Sequence, residues 1–172
     1  MDQSWETVHL SLGSNLGNRA ENLRRALAAL DALDGVRVTA VSNCHETLPW
    51  GEADQPMFLN LAVEIGTVLA PPELLNTVKR VETEMGREPG ARWSARLIDI
   101  DLVLWMDRIF DDGTLCLPHR HFRERAFVLR PLAEIAPDAV DPVTGTAVSA
   151  LAGRFAGPDA GVVCLGPLGQ LC

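Results

Sequence analysis

The order in which two hydrophobic periods follow one another restricts this chain more than any single residue. Thr7 to Leu12 alternates as a strand. Gly13-Ser14-Asn15-Leu16-Gly17-Asn18 then turns into a helix from Arg19 to Leu33, with Leu23, Ala26, Leu27, Leu30 and Leu33 on one stripe. Gly35 ends that helix. Val36 to Val41 predicts a second strand, Glu46 to Pro56 a Pro/Gly loop, and Met57 to Val68 a third strand. Pro71-Pro72 opens a second helix, carried by Leu74, Leu75, Val78, Val81 and Met85 and stopped by Gly86. Leu97 to Trp105 alternates again. The succession β-α-β-β-α-β is the ferredoxin-like split βαβ arrangement, so the predicted class is α+β, an antiparallel sheet with helices on one face. Further on, Ile109-Phe110 predicts a short edge strand, Phe127 to Ile135 another helix, and the Gly- and Pro-rich stretch from Gly157 to Gly169 an irregular tail. The expected organisation is one domain over residues 1–156 with a C-terminal extension over 157–172.

That architecture hosts RNA-binding modules, sensors and transferases alike, so side-chain chemistry must choose among them. The formal net charge of -8 and the pI near 4.9 argue against a nucleic-acid or anionic-membrane partner. The first and third strands lack the aromatic pattern of an RNA-recognition domain, and Gly13 to Gly17 lacks the Gly-Lys-Ser/Thr of a P-loop. No run reaches about eighteen apolar residues and the start lacks a basic, apolar leader, so a cytoplasmic location is expected. Cys44, Cys116, Cys164 and Cys172 show no zinc-type spacing and read as free thiols, Cys44 as a small buried one at a strand end.

Within Leu97 to Trp105, Asp99 and Asp101 stand at i and i+2, so both carboxylates point to one face, opposite Ile98, Ile100, Leu102 and Leu104. Two such charges suit Mg²⁺, which takes oxygen ligands and shares them with phosphate; the alternative is a half-solvated acidic strand face. The flanks favour the metal. Eight of the fourteen arginines (Arg87, Arg92, Arg96, Arg108, Arg120, Arg123, Arg125, Arg130) fall between residues 87 and 130, against the global charge. Arginine forks fit phosphate oxygens, so the set points to a polyphosphate site, although each arginine alone could be a surface ion pair. On the third strand, Phe58 and Asn60 share a face after a loop holding Thr47 and Trp50. A ring to stack and an amide to pair suit a flat heterocycle, or equally a core Phe beside an edge Asn.

With Thr47-Leu48-Pro49-Trp50-Gly51, Asp54 to Asn60, Arg92-Trp93-Ser94-Ala95-Arg96-Leu97-Ile98-Asp99-Ile100-Asp101, Pro118-His119 and Arg125-Ala126-Phe127 in view, the chain resembles the 6-hydroxymethyl-7,8-dihydropterin pyrophosphokinase family of folate biosynthesis. The likeness runs from about Thr7 to Asp138. It implies transfer of the diphosphate of ATP to the pterin hydroxymethyl group, with release of AMP. By the same resemblance Asp99 and Asp101 hold two Mg²⁺ ions, Asp101 helps draw off the hydroxyl proton, and Arg87 and Arg96 neutralise developing charge. Arg87 and Trp93 lie on a closing loop. His119 and Arg125 contact phosphates, and Glu82 and Leu102 line the nucleotide site. Phe58 and Phe127 sandwich the pterin, Asn60 reads its edge, and Thr47, Leu48 and Trp50 wall the pocket. A monomer is expected. Where the family commonly has Gly-Pro, this chain has Ser94-Ala95, and members often carry a basic residue near Pro89 and polar or basic contacts near Thr114 and Cys116. The rival readings are a related diphosphotransferase for another heterocyclic alcohol and an idle ligand-sensing domain; a sensor has no need of the arginine-flanked Asp pair.

Overall fold

One strand organises the sheet from its middle. In the computed structural model, which describes residues 4–49, 54–86, 96–157 and 160–171, β1 (Glu6–Ser14) runs antiparallel to two neighbours. These are β4 (Phe58–Thr67) and β5 (Asp99–Trp105). The other edge of β4 is shared by β2 (Val36–Val41) and β3 (Cys44–Thr47). Ser42 makes the break between them, donating its N–H to Ala62 O at 2.9 Å and accepting the Ala62 N–H on its hydroxyl at 2.8 Å.

Helices α1 (Arg19–Asp31) and α2 (Pro71–Glu84) bury their apolar stripes on one face of this sheet. Asn18 caps α1 by accepting the Glu21 N–H at 3.0 Å. Leu23, Leu30, Leu74 and Val78 meet Leu10, Leu12, Leu61, Ile65, Ile100 and Trp105 in one core. Each such Leu withdrawn from water stabilises by roughly 1.5–3 kcal/mol. The ferredoxin-like α+β core is therefore as read. The two helices of that core share one face as expected, and beyond it α3 (Ala126–Ile135) and α4 (Val148–Gly153) cover the opposite face, packing Leu129, Leu132 and Leu151 on Ala62, Val103 and Leu104.

Four local readings change. Cys44–Thr47 is a strand, although Glu46 onward was expected in a loop. Gly13 and Ser14 extend β1 instead of beginning the turn. Phe110–Asp111 (β6) pairs with Cys116–Leu117 (β7) in a separate two-stranded ribbon and not on the main sheet. The supposed irregular tail contains β8 (Val162–Gly166), which adds to β3 and completes the order β5-β1-β4-β3-β8.

Candidate active site

Because Ile98, Ile100 and Leu102 belong to the core beneath α1 and α2, the alternation of β5 turns Asp99 and Asp101 to the other face. There they floor a cleft of about 330 Å³. The alternation does not last. Between His9 and Leu10 the β1–β5 register shifts, so Val103 and Leu104 both join the core under α3 and Trp105 returns to the first core. Leu104 thus lies opposite to the face expected for it.

Asp99 faces Gly13 across the β1 pairing, and Gly13 in turn faces Asn60. A Cβ on Gly13 would stand 2.6 Å from Asn60 Oδ1 and 3.5 Å from Phe58 Cδ1, so only glycine lets this amide and ring reach the cleft. Asn60 is buried and donates from Nδ2 to Thr47 Oγ1 at 2.7 Å. Thr47, Leu48, Phe58, Asn60 and Phe127 line one part of the cleft. Arg96, Asp99, Asp101, His119 and Arg125 line the other.

The charged part is held from several elements. Arg96 donates from Nη1 to Asp99 Oδ1 at 2.9 Å, and its backbone N–H donates to Asn15 Oδ1 at 2.7 Å. His119, fixed by its N–H to Val103 O at 2.9 Å, brings Nε2 to 3.9 Å from Asp101 Oδ2. Arg125 Nη1 stands 4.0 Å from the same oxygen, and Lys79 Nζ 4.0 Å from Oδ1. Desolvation raises the Asp101 pKa and the Asp99 charge adds to it, while Lys79, His119 and Arg125 pull the other way. Desolvation lowers the His119 pKa, and the neighbouring Arg125 and His121 charges reinforce that against the two aspartates. The result is a carboxyl biased toward holding a proton beside an imidazole biased toward losing one.

Two residues expected to line the nucleotide site, Glu82 and Leu102, are not among those that line this cleft. Glu82 and Leu102 are buried between α2 and β5, on the sheet face opposite the carboxylates. Glu82 accepts the Ile100 N–H at 2.6 Å, and Lys79 donates to Ile100 O and to Glu82 Oε1, each at 3.0 Å. Desolvation raises the Glu82 pKa against the Lys79 charge. Trp50, Arg87 and Trp93, with Pro89 and Ser94-Ala95, lie outside the described residues. Residues not singled out also line the cleft: Ser11, Gly13, Gln55 and His121. Asn15 also supports it, donating from Nδ2 to Gln55 Oε1 at 3.2 Å and to Pro56 O at 3.3 Å. The Gly-Ser-Asn run was the available signal for Gly13 and Asn15, but it read as a turn. Lys79 gave none beyond its helical position.

The family model described as 7,8-dihydro-6-hydroxymethylpterin-pyrophosphokinase matches residues 9–137. A Methylorubrum extorquens protein named 2-amino-4-hydroxy-6-hydroxymethyldihydropteridine pyrophosphokinase is 49% identical over 133 residues, covering 77% of this chain and 84% of that protein. The Bacillus subtilis protein of the same name is 46% identical over 128 residues, covering 74% and 77%. A solved Plasmodium falciparum HPPK-DHPS triple mutant matches with a TM-score of 0.72 and 17% identity, over 90% of this chain and 45% of that one, a likeness of fold.

Proposed function

The chain belongs to the 7,8-dihydro-6-hydroxymethylpterin-pyrophosphokinase family, and on that footing we propose how its residues divide the work of the reaction. That reaction moves the diphosphate of ATP to the hydroxymethyl group of the dihydropterin in folate biosynthesis. Its chemistry asks for positioning and electrostatics more than for covalent help.

Phe58 and Phe127 hold the pterin ring between them, Asn60 pairs with its edge, and Thr47, Leu48 and Trp50 wall the pocket. Thr47 supports this role by fixing the Asn60 amide. Asp99 and Asp101 offer an all-oxygen donor set at the cleft floor that fits two Mg²⁺ ions. Held by these two carboxylates, the ions would supply Lewis-acid stabilisation of the phosphate charge. Arg96 turns from Asp99 toward the phosphates, His119 and Arg125 bind them from the opposite side, and Arg87 and Trp93 close over the nucleotide. Asp101, in its ionised form, receives the proton leaving the attacking hydroxyl, and desolvation with the Asp99 charge beside it raises its proton affinity for that role. For Glu82 and Leu102 a contact with ATP is retained only through the outer edge of β5. The enzyme works as a monomer in the cytoplasm, and its net charge of -8 supports the expectation of no nucleic-acid partner.

The observation that carries this reading is the single cleft in which an aromatic and amide pocket meets a carboxylate pair approached by cations. The test is AMP release from ATP. Release that requires both 6-hydroxymethyl-7,8-dihydropterin and Mg²⁺ supports the assignment; release indifferent to the pterin overturns it.

A further inference from the structure

The row of cross-strand neighbours that begins at Asp99 does not end at the pterin-side amide. It continues from Gly13 and Asn60 to His45 on β3 and Cys164 on β8. Directly opposed residues of antiparallel strands share a face, so the imidazole and the thiol both point toward α3. There Glu134 meets them. One ligand atom from each of the three lies within 4.8 Å of the other two, and His45 Nε2 is 2.8 Å from Glu134 Oε1.

We infer that His45, Glu134 and Cys164 form a binding site for a borderline-soft divalent cation, Zn²⁺ by the chemistry of its donors, separate from the carboxylate pair of the cleft. Thiolate and imidazole favour zinc over magnesium, whereas the all-oxygen Asp99/Asp101 pair suits magnesium. Ligand atoms around a tetrahedral zinc with bonds of about 2.0–2.3 Å stand roughly 3.3–3.8 Å apart, within reach of small side-chain rotations here. The donors are held in place: His45 is 2% exposed, and the second Glu134 oxygen accepts the Asn43 N–H at 2.8 Å. Glu134 and Cys164 are exposed, which leaves an entry path and room for water as a fourth ligand.

Cys44, one residue before His45, is no substitute. It faces the α1/α2 core, and desolvation pushes its thiol up to about 11. His45 and Glu134 fall inside the family-matched stretch 9–137, but Cys164 comes from β8 beyond it. The cation would therefore staple β8 to β3 and α3. Binding expels the Cys164 thiol proton and the proton between His45 and Glu134 to solvent.

Chelator-stripped full-length protein, titrated with Co²⁺ in excess Mg²⁺, tests the site. The expected result is one Co²⁺ per chain with a thiolate-to-cobalt charge-transfer band, bleached when Zn²⁺ displaces it. Cys164→Ser should abolish the band, while Cys116→Ser should keep it. His45→Asn and Glu134→Gln should weaken binding by at least the roughly 10–100-fold that loss of an outer-shell partner causes. A wild-type protein without the band, or a band that survives in folded Cys164→Ser, overturns the inference. The readout needs no turnover, and cobalt at Asp99/Asp101 would give no thiolate band.

Discussion

Asp101 is approached by Lys79, His119 and Arg125 at 3.9–4.0 Å, outside hydrogen-bond reach, at the point where we propose that the reaction gathers charge. Asp101→Ala should leave the circular-dichroism spectrum intact and lower kcat by at least roughly 100-fold, the scale of losing one preorganised electrostatic group. Gly13→Ala tests the pterin side. With Asn60 Oδ1 only 2.6 Å from the new Cβ, the amide must move. The variant should weaken pterin binding by roughly tenfold or more in calorimetry, on the scale of one lost buried hydrogen bond, and leave ATP affinity near wild type. His119 carries a pH signature. Its pKa is lowered in the folded protein, mainly by desolvation, so the unfolded chain takes up a proton first as pH falls below about 6.5. The stability from neutral His119 is complete above that pH and is lost as pH falls toward the folded value. Urea midpoints of wild type and His119→Asn, compared between about pH 7.5 and 5.5, should shift in favour of the variant on acidification.

At the scale of elements, β5 is an edge strand of the described sheet whose outward N–H and C=O at Ile100 are met by side chains. Glu82 takes the Ile100 N–H and Lys79 the Ile100 carbonyl, so α2 stands in for a missing strand. Glu82→Ala should leave that N–H unsatisfied and cost about 1–3 kcal/mol by thermal unfolding, with Glu82→Gln recovering part of it through its amide oxygen. This arrangement also marks where reading the sequence succeeds. The period of β5 correctly turns Asp99 and Asp101 away from the core, because alternation is a local property. It fails at Leu104, because the bulge arises from pairing with β1 and leaves no mark in β5 itself. Likewise β3 spans only Cys44–Thr47, too few residues for a periodic signal, and β8 is defined by a partner far away in sequence. Most of the residues that line the cleft were legible as types, whereas the way Lys79 and Asn15 bridge elements was not.

For the whole molecule, the second layer of helices is what turns a sheet into a cleft, since α3 brings Phe127 over the face that Asp99 and Asp101 share. The ion pair Arg123–Asp141, with bonds of 2.6 and 2.7 Å, anchors this layer, and Asp141 is fully buried. Burial opposes the Asp141 charge, but bonds from Arg123, Thr144 and the Val143 N–H outweigh it and hold the carboxyl below its ordinary range. The C-terminal segment is tied in as well: Arg24 donates to Leu168 O and Leu171 O, and Arg130 to Val162 O. Truncation after residue 157 should remove these bonds and the β3–β8 pairing together. A loss of about 2 kcal/mol would lower Tm by roughly 4–8 °C in a domain of this size; an unchanged Tm would show the segment to be separable. The position of β8 also has a consequence during synthesis. β3 emerges early from the ribosome, yet its outer edge is covered only after β4, α2, β5, α3 and α4 have all been made. Through that interval the nascent chain carries an open strand edge beside its future cleft, the kind of surface that recruits chaperones or other copies.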